Sequence, residues 1–242
     1  MKTKFTRTVA FAECDMSWQI RLCDLENYLL MASDDGVSRA GLSPAYLRER
    51  YNANWVLLRM SLQMQSLPHY KDTLVIETWE SKQLRCMVVR EYRLSISRDG
   101  VETEIGQGTS IWSVMNIETR EICSQAFADR TDKVEDAPGL SFPSVRHPEQ
   151  ISAPSAVLQH RIHYTDLDMN RHCNSCKYLQ FMLNACDHLA TVTPIRLDIR
   201  YVREVHADEL ICVRVNETDG RIEYLLSGED GSTACTAVLF TF

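Results

Sequence analysis

Alternating apolar and polar positions fill two long stretches of the chain, and each stretch predicts a set of four strands. Sequences rich in Gly and Asp separate several of these strands, which is typical of tight turns between antiparallel neighbours. The predicted strands are 55–66, 73–80, 84–97 and 104–116 in the first stretch and 195–203, 209–216, 221–227 and 233–241 in the second. The turn sequences are RDG at 98–100, TDG at 218–220 and GEDGS at 228–232. Hairpin-connected strands with one helix per set favour an α+β fold with an antiparallel sheet.

From Cys173 onward, apolar residues recur at steps of three and four, which predicts a helix before the second set of strands. Pro194 is expected to end this helix, because a proline inside it would break the hydrogen-bond ladder. Further apolar residues flank the helical stripe, so we expect the sheet to wrap around the helix. The residues of the stripe are Cys173, Cys176, Leu179, Leu183, Cys186 and Ala190.

The chain also repeats itself, which indicates two related halves. The segment PHYKDTLVIET from Pro68 is similar to EVHADELICVR from Glu204, at an offset of 136 residues, and LENYLL around Tyr28 is similar to SCKYLQ around Tyr178, at an offset of 150. We therefore predict an N-terminal half at 1–123 and a C-terminal half at 157–242. A segment rich in Pro, Ser and charge, 124–156, is predicted to link them.

Composition narrows the possible functions. The formal net charge of −7 argues against general nucleic-acid binding. The longest apolar runs are about five residues, against the ~20 that a membrane helix needs, and the first residues contain no apolar segment typical of a secretory signal. Nine cysteines without a paired framework indicate reduced thiols. A cytoplasmic protein without a membrane span is therefore expected.

Polar residues are concentrated in DLDMNRHCNSCKYL, residues 166–179, where the predicted helix begins. The unsatisfied N–H groups at a helix start carry partial positive charge, so capping alone would account for such residues. The functional interpretation is an oxyanion site, in which those N–H groups polarise a carbonyl while a nearby carboxylate activates water. Taken alone, the residue types favour capping for Asn170, Asn174 and Asp166.

Two motifs give the chain a more specific resemblance. The segment YTDLDMNRHCNSCKYLQFML, Tyr164 to Leu183, resembles the signature of acyl-acyl carrier protein (ACP) thioesterases, with Asp168, Asn170 and His172 at alternate positions. YVRE, ending at Glu204, resembles a second signature of that family. In the first half, WVLLRM, DTLVIETW and SIWSVMNIETREI are also similar to the family, so the resemblance covers nearly the whole chain.

The resemblance implies a tandem hotdog fold, in which each half is an antiparallel sheet wrapped around a long central helix. It also implies hydrolysis of acyl-ACP to a free fatty acid and holo-ACP, with no cofactor or metal, by a protein that can form a homodimer. The first half has Asp15 without Asn or His partners, and Pro68 aligns with Glu204, so that half is expected to shape the acyl pocket. The residues implicated are Asp168, Asn170, His172 and Glu204 in catalysis and Asn174, Met60 and Met64 in substrate binding.

Several alternatives remain at this level. Either Glu204 or Asp168 could be the primary carboxylate, and Val205 excludes a cysteine nucleophile immediately after Glu204. Acyl-CoA could replace acyl-ACP, or the chain could bind acyl groups without hydrolysing them. A zinc site or a thiol triad at Cys173 and Cys176 is disfavoured, because these residues lie on the apolar helical face. ACP is acidic, and the basic residues expected near the site are Arg171, Lys177, Arg196, Arg200 and Arg203.

Overall fold

The computed structural model describes residues 2–130 and 138–241, and within them the fold is α+β. Ten antiparallel strands form one sheet in the order β1-β3-β4-β5-β2-β7-β10-β9-β8-β6. The strands are β1 (Thr3–Thr8), β2 (Ala53–Met64), β3 (Thr73–Leu84), β4 (Met87–Arg98), β5 (Val101–Asn116), β6 (Ala156–Arg161), β7 (Ile195–Tyr201), β8 (Leu210–Thr218), β9 (Arg221–Gly228) and β10 (Thr233–Thr241). The helices of four residues or more are α1 (Leu22–Arg39), α2 (Pro44–Tyr51), α3 (Ser124–Ala128) and α4 (Ser175–Ala185). The eight predicted strands are confirmed with small shifts at their ends.

The two halves of the sheet mirror each other. Strands β1, β3, β4, β5 and β2 come from the first half, and β6, β8, β9, β10 and β7 follow the same order inward from the opposite edge. The halves join through β2 and β7, where Ser61 lies opposite Asp198 in an antiparallel register. The repeat seen in the sequence therefore corresponds to a duplicated arrangement of strands.

The two longer helices contact each other and share one large apolar core with the sheet. Helix α1 packs on β1 and β3, and α4 packs on β6, β8 and β9. Because side chains alternate along a strand, one face of each strand supplies the core. Among the described residues, no helix combines the length and apolarity that crossing a bilayer requires. Fully buried members of the core include Leu25, Tyr28, Leu29, Leu179, Met182, Ile199, Tyr224 and Leu226.

The opposite face of the sheet holds a buried carboxylate at the junction of the halves. Asp198 accepts two hydrogen bonds from Arg59, at 3.0 and 2.8 Å, and one from Ser61 at 2.5 Å. His147, from the segment between the halves, lies 2.8 Å from the same carboxylate through Nε2. Burial would raise the pKa of Asp198, but the hydrogen bonds from His147, Arg59 and Ser61 outweigh it and lower that pKa. The connecting segment is thus anchored to the sheet; its residues 131–137 lie outside the described part of the chain.

Helix α4 is shorter than predicted. It ends at Ala185, and Cys186 has an extended backbone with φ −162° and ψ 124°. The Tyr224 hydroxyl donates a 2.6 Å hydrogen bond to the Cys186 carbonyl, which fixes this exit from the helix. The prediction that the helix continues to Pro194 is therefore wrong, because a tertiary contact ends it eight residues earlier.

The repeat offsets also need correction. Short 3₁₀ helices at 11–13 and 164–166 precede α1 and α4, which gives an offset of 153 and not 150. A three-residue error keeps side chains on nearly the same helical face, which explains the false match. Further along, Ile20 N–H donates to Pro68 O, and Cys173 N–H donates to Val205 O, so the offset there is 137. Leu67, and not Pro68, is the first-half counterpart of Glu204.

Candidate active site

A tight turn before α4 positions the polar residues of the first motif. The Asp168 Oδ1 atom accepts the backbone N–H groups of Asn170, at 2.8 Å, and of His172, at 3.1 Å. Arg171 adopts φ +66° at the tip of this turn. The Asn170 side chain donates to Asp168 Oδ2 at 3.3 Å. Asp168 therefore shapes the turn that presents the other two side chains.

Glu204 lies three residues beyond the end of β7 and faces His172. The His172 Nδ1 atom is 3.2 Å from Glu204 Oε1. Backbone contacts hold the segment, since Tyr178 donates to the Arg203 carbonyl at 3.3 Å and Arg203 donates to the Glu204 carbonyl at 2.8 Å. The two motifs, 32 residues apart in the chain, thus place an imidazole and a carboxylate within proton-transfer distance.

The first half contributes two polar contacts that the sequence did not reveal. Arg120 forms an ion pair with Glu204 Oε1 through Nη2. The Asn54 side chain donates to Asn170 Oδ1 at 2.7 Å. Arg120 has φ +60°, a backbone conformation that costs a non-glycine residue roughly 1–2 kcal/mol. Arg120 lies in the family-like segment NIETREI, but the sequence of that segment does not indicate a contact with Glu204. The contact depends on how the two halves join.

A cavity of about 1040 Å³ opens beside these groups and extends over the first half of the sheet. Asn174 lies in its wall and caps α4, with its side chain accepting the Cys176 N–H at 3.1 Å. Met60 and Met64 are packed in the core, with 1% and 0% of their surface exposed, and do not line the cavity. Apolar side chains that do line it include Leu30, Val37, Val56, Leu57, Val88 and Trp112.

The matching turn in the first half lacks the reactive groups. Asp15 Oδ1 accepts the N–H groups of Ser17, at 2.7 Å, and of Gln19, at 3.1 Å, as Asp168 does for its own turn. At the offset of 153, Ser17 corresponds to Asn170 and Gln19 corresponds to His172. Because Leu67 takes the place of Glu204, the first half has the turn without a base.

The cysteines of the motif are poor nucleophiles. Burial raises the pKa of the Cys173 thiol to about 12 and that of Cys176 well above its usual value. Since the thiolate is the nucleophile, both thiols remain protonated and unreactive towards a thioester near neutral pH. This agrees with the expectation that they serve packing.

The predicted basic patch is only partly formed. Arg171 is exposed and Arg203 is partly exposed near the cavity. Arg196 is 5% exposed and donates to the Pro143 carbonyl, while Arg200 donates to the Val145 carbonyl at 3.1 Å. Because successive residues of β7 face opposite sides of the sheet, both side chains hold the connecting segment on the face away from the cavity. Their predicted place in a docking patch is therefore wrong.

The cavity mouth also carries a set of ligand atoms that a metal could use. His172, Glu204 and His206 place their donor atoms within 4.8 Å of one another, and the two imidazole rings have centroids 4.9 Å apart. Two histidines and a glutamate form a known zinc ligand set. Here Arg120 already neutralises Glu204, so a cation would have to displace a guanidinium.

Comparisons with known proteins point to a single family. The sequence model described as the acyl-ACP thioesterase N-terminal domain matches residues 1–127, and that of the C-terminal domain matches residues 150–239. The chain is 28% identical over 218 residues to oleoyl-acyl carrier protein thioesterase 2 of Arabidopsis thaliana, and 28% identical over 222 residues to the oleoyl-acyl carrier protein thioesterase of Coriandrum sativum. These alignments cover 82% and 87% of this chain, which spans 57% of the length of each relative.

Solved structures have the same fold. An acyl-ACP thioesterase from Bacteroides thetaiotaomicron superposes with a TM-score of 0.85 at 21% identity, covering 99% of this chain and 97% of that one. The 12:0-ACP thioesterase from Umbellularia californica superposes with a TM-score of 0.81 at 16% identity, covering 99% and 96%. The similarity extends through both halves of the sheet.

Proposed function

The chain belongs to the acyl-ACP thioesterase family, and from that premise we propose that it hydrolyses acyl-ACP to a free fatty acid and holo-ACP. The observation that carries this proposal is the pair His172 and Glu204, 3.2 Å apart at the edge of a largely apolar cavity. A thioester requires an activated water next to space for an acyl chain, and the two features lie side by side.

The fold is a tandem hotdog, with one unit at 1–123, a connecting segment at 124–156 and a second unit at 157–242. The mirrored order of strands supports this assignment, as does the placement of α1 and α4 against equivalent strands. The catalytic groups come mainly from the second unit, and the acyl chain lies against the first. The acyl chain contacts Leu57 and Trp112, which line the cavity. It does not contact the core residues Met60 and Met64.

Glu204 acts as the general base. It takes a proton from water as the water oxygen attacks the thioester carbonyl, and the tetrahedral intermediate then expels the thiolate of the carrier, which is protonated as it leaves. Asp168 is less suited to this role, because its Oδ1 already accepts two backbone N–H groups and its Oδ2 accepts Asn170. His172 orients Glu204 and can exchange its proton.

The carbonyl oxygen binds at the start of α4. Unpaired N–H groups of a helix start carry partial positive charge and stabilise a developing oxyanion. Ser175, the first residue of α4, lines the cavity, and Asn170 lies beside it with its orientation fixed by Asn54 and Asp168. These groups place the carbonyl within reach of a water held by Glu204.

Acyl carrier protein docks at the cavity mouth. The supporting features are the exposed Arg171 and Arg48 and the partly exposed Arg203, because a basic rim complements an acidic carrier. Acyl-CoA is the alternative donor, and its long pantetheine arm could enter by the same mouth. A cytoplasmic location agrees with the free thiols.

The test is hydrolysis of a panel of acyl-ACPs and acyl-CoAs of different chain lengths by the purified full chain, with release of free thiol as the readout. We expect turnover with medium- or long-chain acyl-ACP and weaker turnover with acyl-CoA. Glu204→Gln serves as the matched inactive variant. Binding of acyl-ACP without hydrolysis across the panel would contradict the proposal and favour an acyl-binding protein.

A further inference from the structure

Three metal-ligating side chains meet where α4 ends, away from the cavity. Cys186 Sγ lies 3.6 Å from Glu217 Oε2, and His188 Nδ1 lies 2.8 Å from Glu217 Oε1. All three donor atoms fall within 4.8 Å of one another. None of the three residues lines the cavity, so this group is separate from the candidate active site.

The backbones of two of the three residues are held in place by the fold. The Cys186 N–H donates to the Met182 carbonyl at 3.1 Å, and its carbonyl accepts the Tyr224 hydroxyl at 2.6 Å. Glu217 lies in β8, where it pairs with Ile222 of β9. Such preorganisation lowers the entropic cost of binding an ion. His188, with 70% of its side chain exposed, can move to complete a site.

The donor set matches one class of metal. Thiolate sulfur, imidazole nitrogen and carboxylate oxygen are the ligands that zinc takes in proteins, with bonds of about 2.0–2.3 Å. Ligand atoms around a tetrahedral zinc ion are then roughly 3.3–3.8 Å apart. The separation of 3.6 Å between Cys186 and Glu217 already lies in that range. The 2.8 Å separation between His188 and Glu217 widens into it if the exposed imidazole turns slightly.

We propose that Cys186, His188 and Glu217 bind a zinc-type divalent cation, with water as the fourth ligand. Binding releases the thiol proton of Cys186 to solvent, and the sulfur then donates an electron pair to the metal. The ion joins the end of α4 to β8, two elements that already pack against each other. It therefore stabilises the second half of the fold and takes no part in hydrolysis.

The test uses the full chain, freed of metal and kept reduced by a phosphine, with cobalt chloride and zinc chloride as probes. Cobalt should give a near-ultraviolet thiolate-to-metal absorption band at one equivalent, and zinc should raise the melting temperature. Cys186→Ser should abolish the band. His188→Gln and Glu217→Gln should weaken metal binding by more than about tenfold, since even outer-shell partners of a metal contribute that much.

Cys212→Ser is the matched control, because Cys212 lies in the same strand as Glu217 and is partly exposed but does not belong to the group. It should leave the cobalt band and the zinc effect unchanged. If Cys186→Ser fails to fold, His188→Gln decides the question, since an exposed side chain contributes little to folding. An absent band in the wild-type chain would overturn the proposal. So would a zinc effect that survives in His188→Gln and disappears in His206→Gln, because the metal would then bind at the cavity mouth.

Discussion

Asp15 and Asp168 make the same turn 153 residues apart, each accepting two backbone N–H groups through Oδ1. The equivalent turn tips, Trp18 and Arg171, have φ of +63° and +66°. Because the first-half turn has no reactive partner, the shared geometry indicates that an aspartate at this position serves the backbone of the turn whether or not the site is reactive. This separates the structural part of the role of Asp168 from any catalytic part.

The duplication supplies a matched pair of substitutions. Asp15→Asn and Asp168→Asn each weaken the hydrogen bonds of one turn, so both should lower stability by a similar amount, about 1 kcal/mol, as the loss of a helix cap does. Turnover should stay within a few-fold of wild type for Asp15→Asn. It should fall further for Asp168→Asn, because the turn that presents Asn170 and His172 loosens. Urea unfolding and steady-state hydrolysis measure the two effects.

If Asp168 is itself the base, a different result is expected. Asp168→Asn would then abolish turnover at unchanged stability, while Glu204→Gln would remain nearly as active as wild type. A collapse of turnover in Asp15→Asn, with folding intact, would indicate a second active site in the first half.

Glu204→Gln should reduce kcat by roughly 10² to 10⁴, the usual contribution of a positioned acid–base group. The amide fills the same volume, so substrate binding and the melting temperature should change little. Glu223→Gln is the control, because Glu223 also pairs with an arginine, Arg221, at 2.8 Å but lies outside the cavity wall. Equal losses of activity in the two variants would refute a specific role for Glu204.

Arg120→Leu should lower kcat by about tenfold or more, since the carboxylate that it orients would be free to rotate. Stability should change by no more than about 1 kcal/mol, because the ion pair is partly exposed. Arg120→Lys should restore part of the activity, as it keeps the charge without the fork geometry. Activity that is unchanged in Arg120→Leu would show that the contact with Glu204 has no catalytic consequence.

Local pattern was sufficient for the strands and the turns at Gly100, Gly220 and Gly231, because each depends on neighbours in sequence. The residues of the two motifs were singled out by the family resemblance. The contacts of Arg120 and Asn54 with those motifs were not accessible from the pattern. These contacts arise because β2 pairs with β7 and so joins the two halves. The sequence around Arg120 or Asn54 does not indicate which residues of the second half will lie next to it. The early end of α4 has a similar cause, since Tyr224 acts on it from β9.

Substitutions of Trp112, in the cavity wall, and of Met60, in the core, should have different effects. Trp112→Ala should enlarge the cavity and move the preference towards longer acyl chains, because the indole lines the wall and is fixed by a 2.7 Å hydrogen bond to Ser110. Met60→Ala should cost about 2–5 kcal/mol of stability, as buried truncations do, without changing the preferred length. Hydrolysis rates across an acyl-ACP series, beside unfolding curves, test both. A shift in preferred length for Met60→Ala alone would place the chain against the core residues instead.

The buried carboxyl of Glu26 makes the stability of the protein depend on pH. It lies in α1 with 1% of its surface exposed, and the Tyr201 hydroxyl hydrogen-bonds to its Oε1. Burial raises the pKa of Glu26 to about 7, and the hydrogen bond from Tyr201 opposes that rise only in part. Since Tyr201 lines the cavity, the same pair links α1 to the wall of the candidate active site.

Glu26→Gln should therefore become more stable relative to wild type as the pH rises. The folded-state pKa of Glu26 lies above the value of about 4.3 for an unfolded chain, so the folded protein binds the extra proton between those pH values. The stability that protonated Glu26 contributes to the wild type is lost as the pH rises through that window, and the loss is complete above it. The glutamine side chain of the variant does not titrate, so its stability does not change for this reason. The difference should approach roughly 4 kcal/mol by pH 8, at about 1.4 kcal/mol per pKa unit. Glu13→Gln is the control of opposite sign, because hydrogen bonds from Tyr28, Ala10 and Arg7 outweigh burial and lower the pKa of Glu13. The stability that Glu13 contributes is present above its unfolded pKa and is lost only as the pH falls through the folded value. Urea unfolding from about pH 3 to pH 8 covers both windows. A free-energy difference for Glu26→Gln that does not vary with pH would show that the carboxyl is not held protonated by burial.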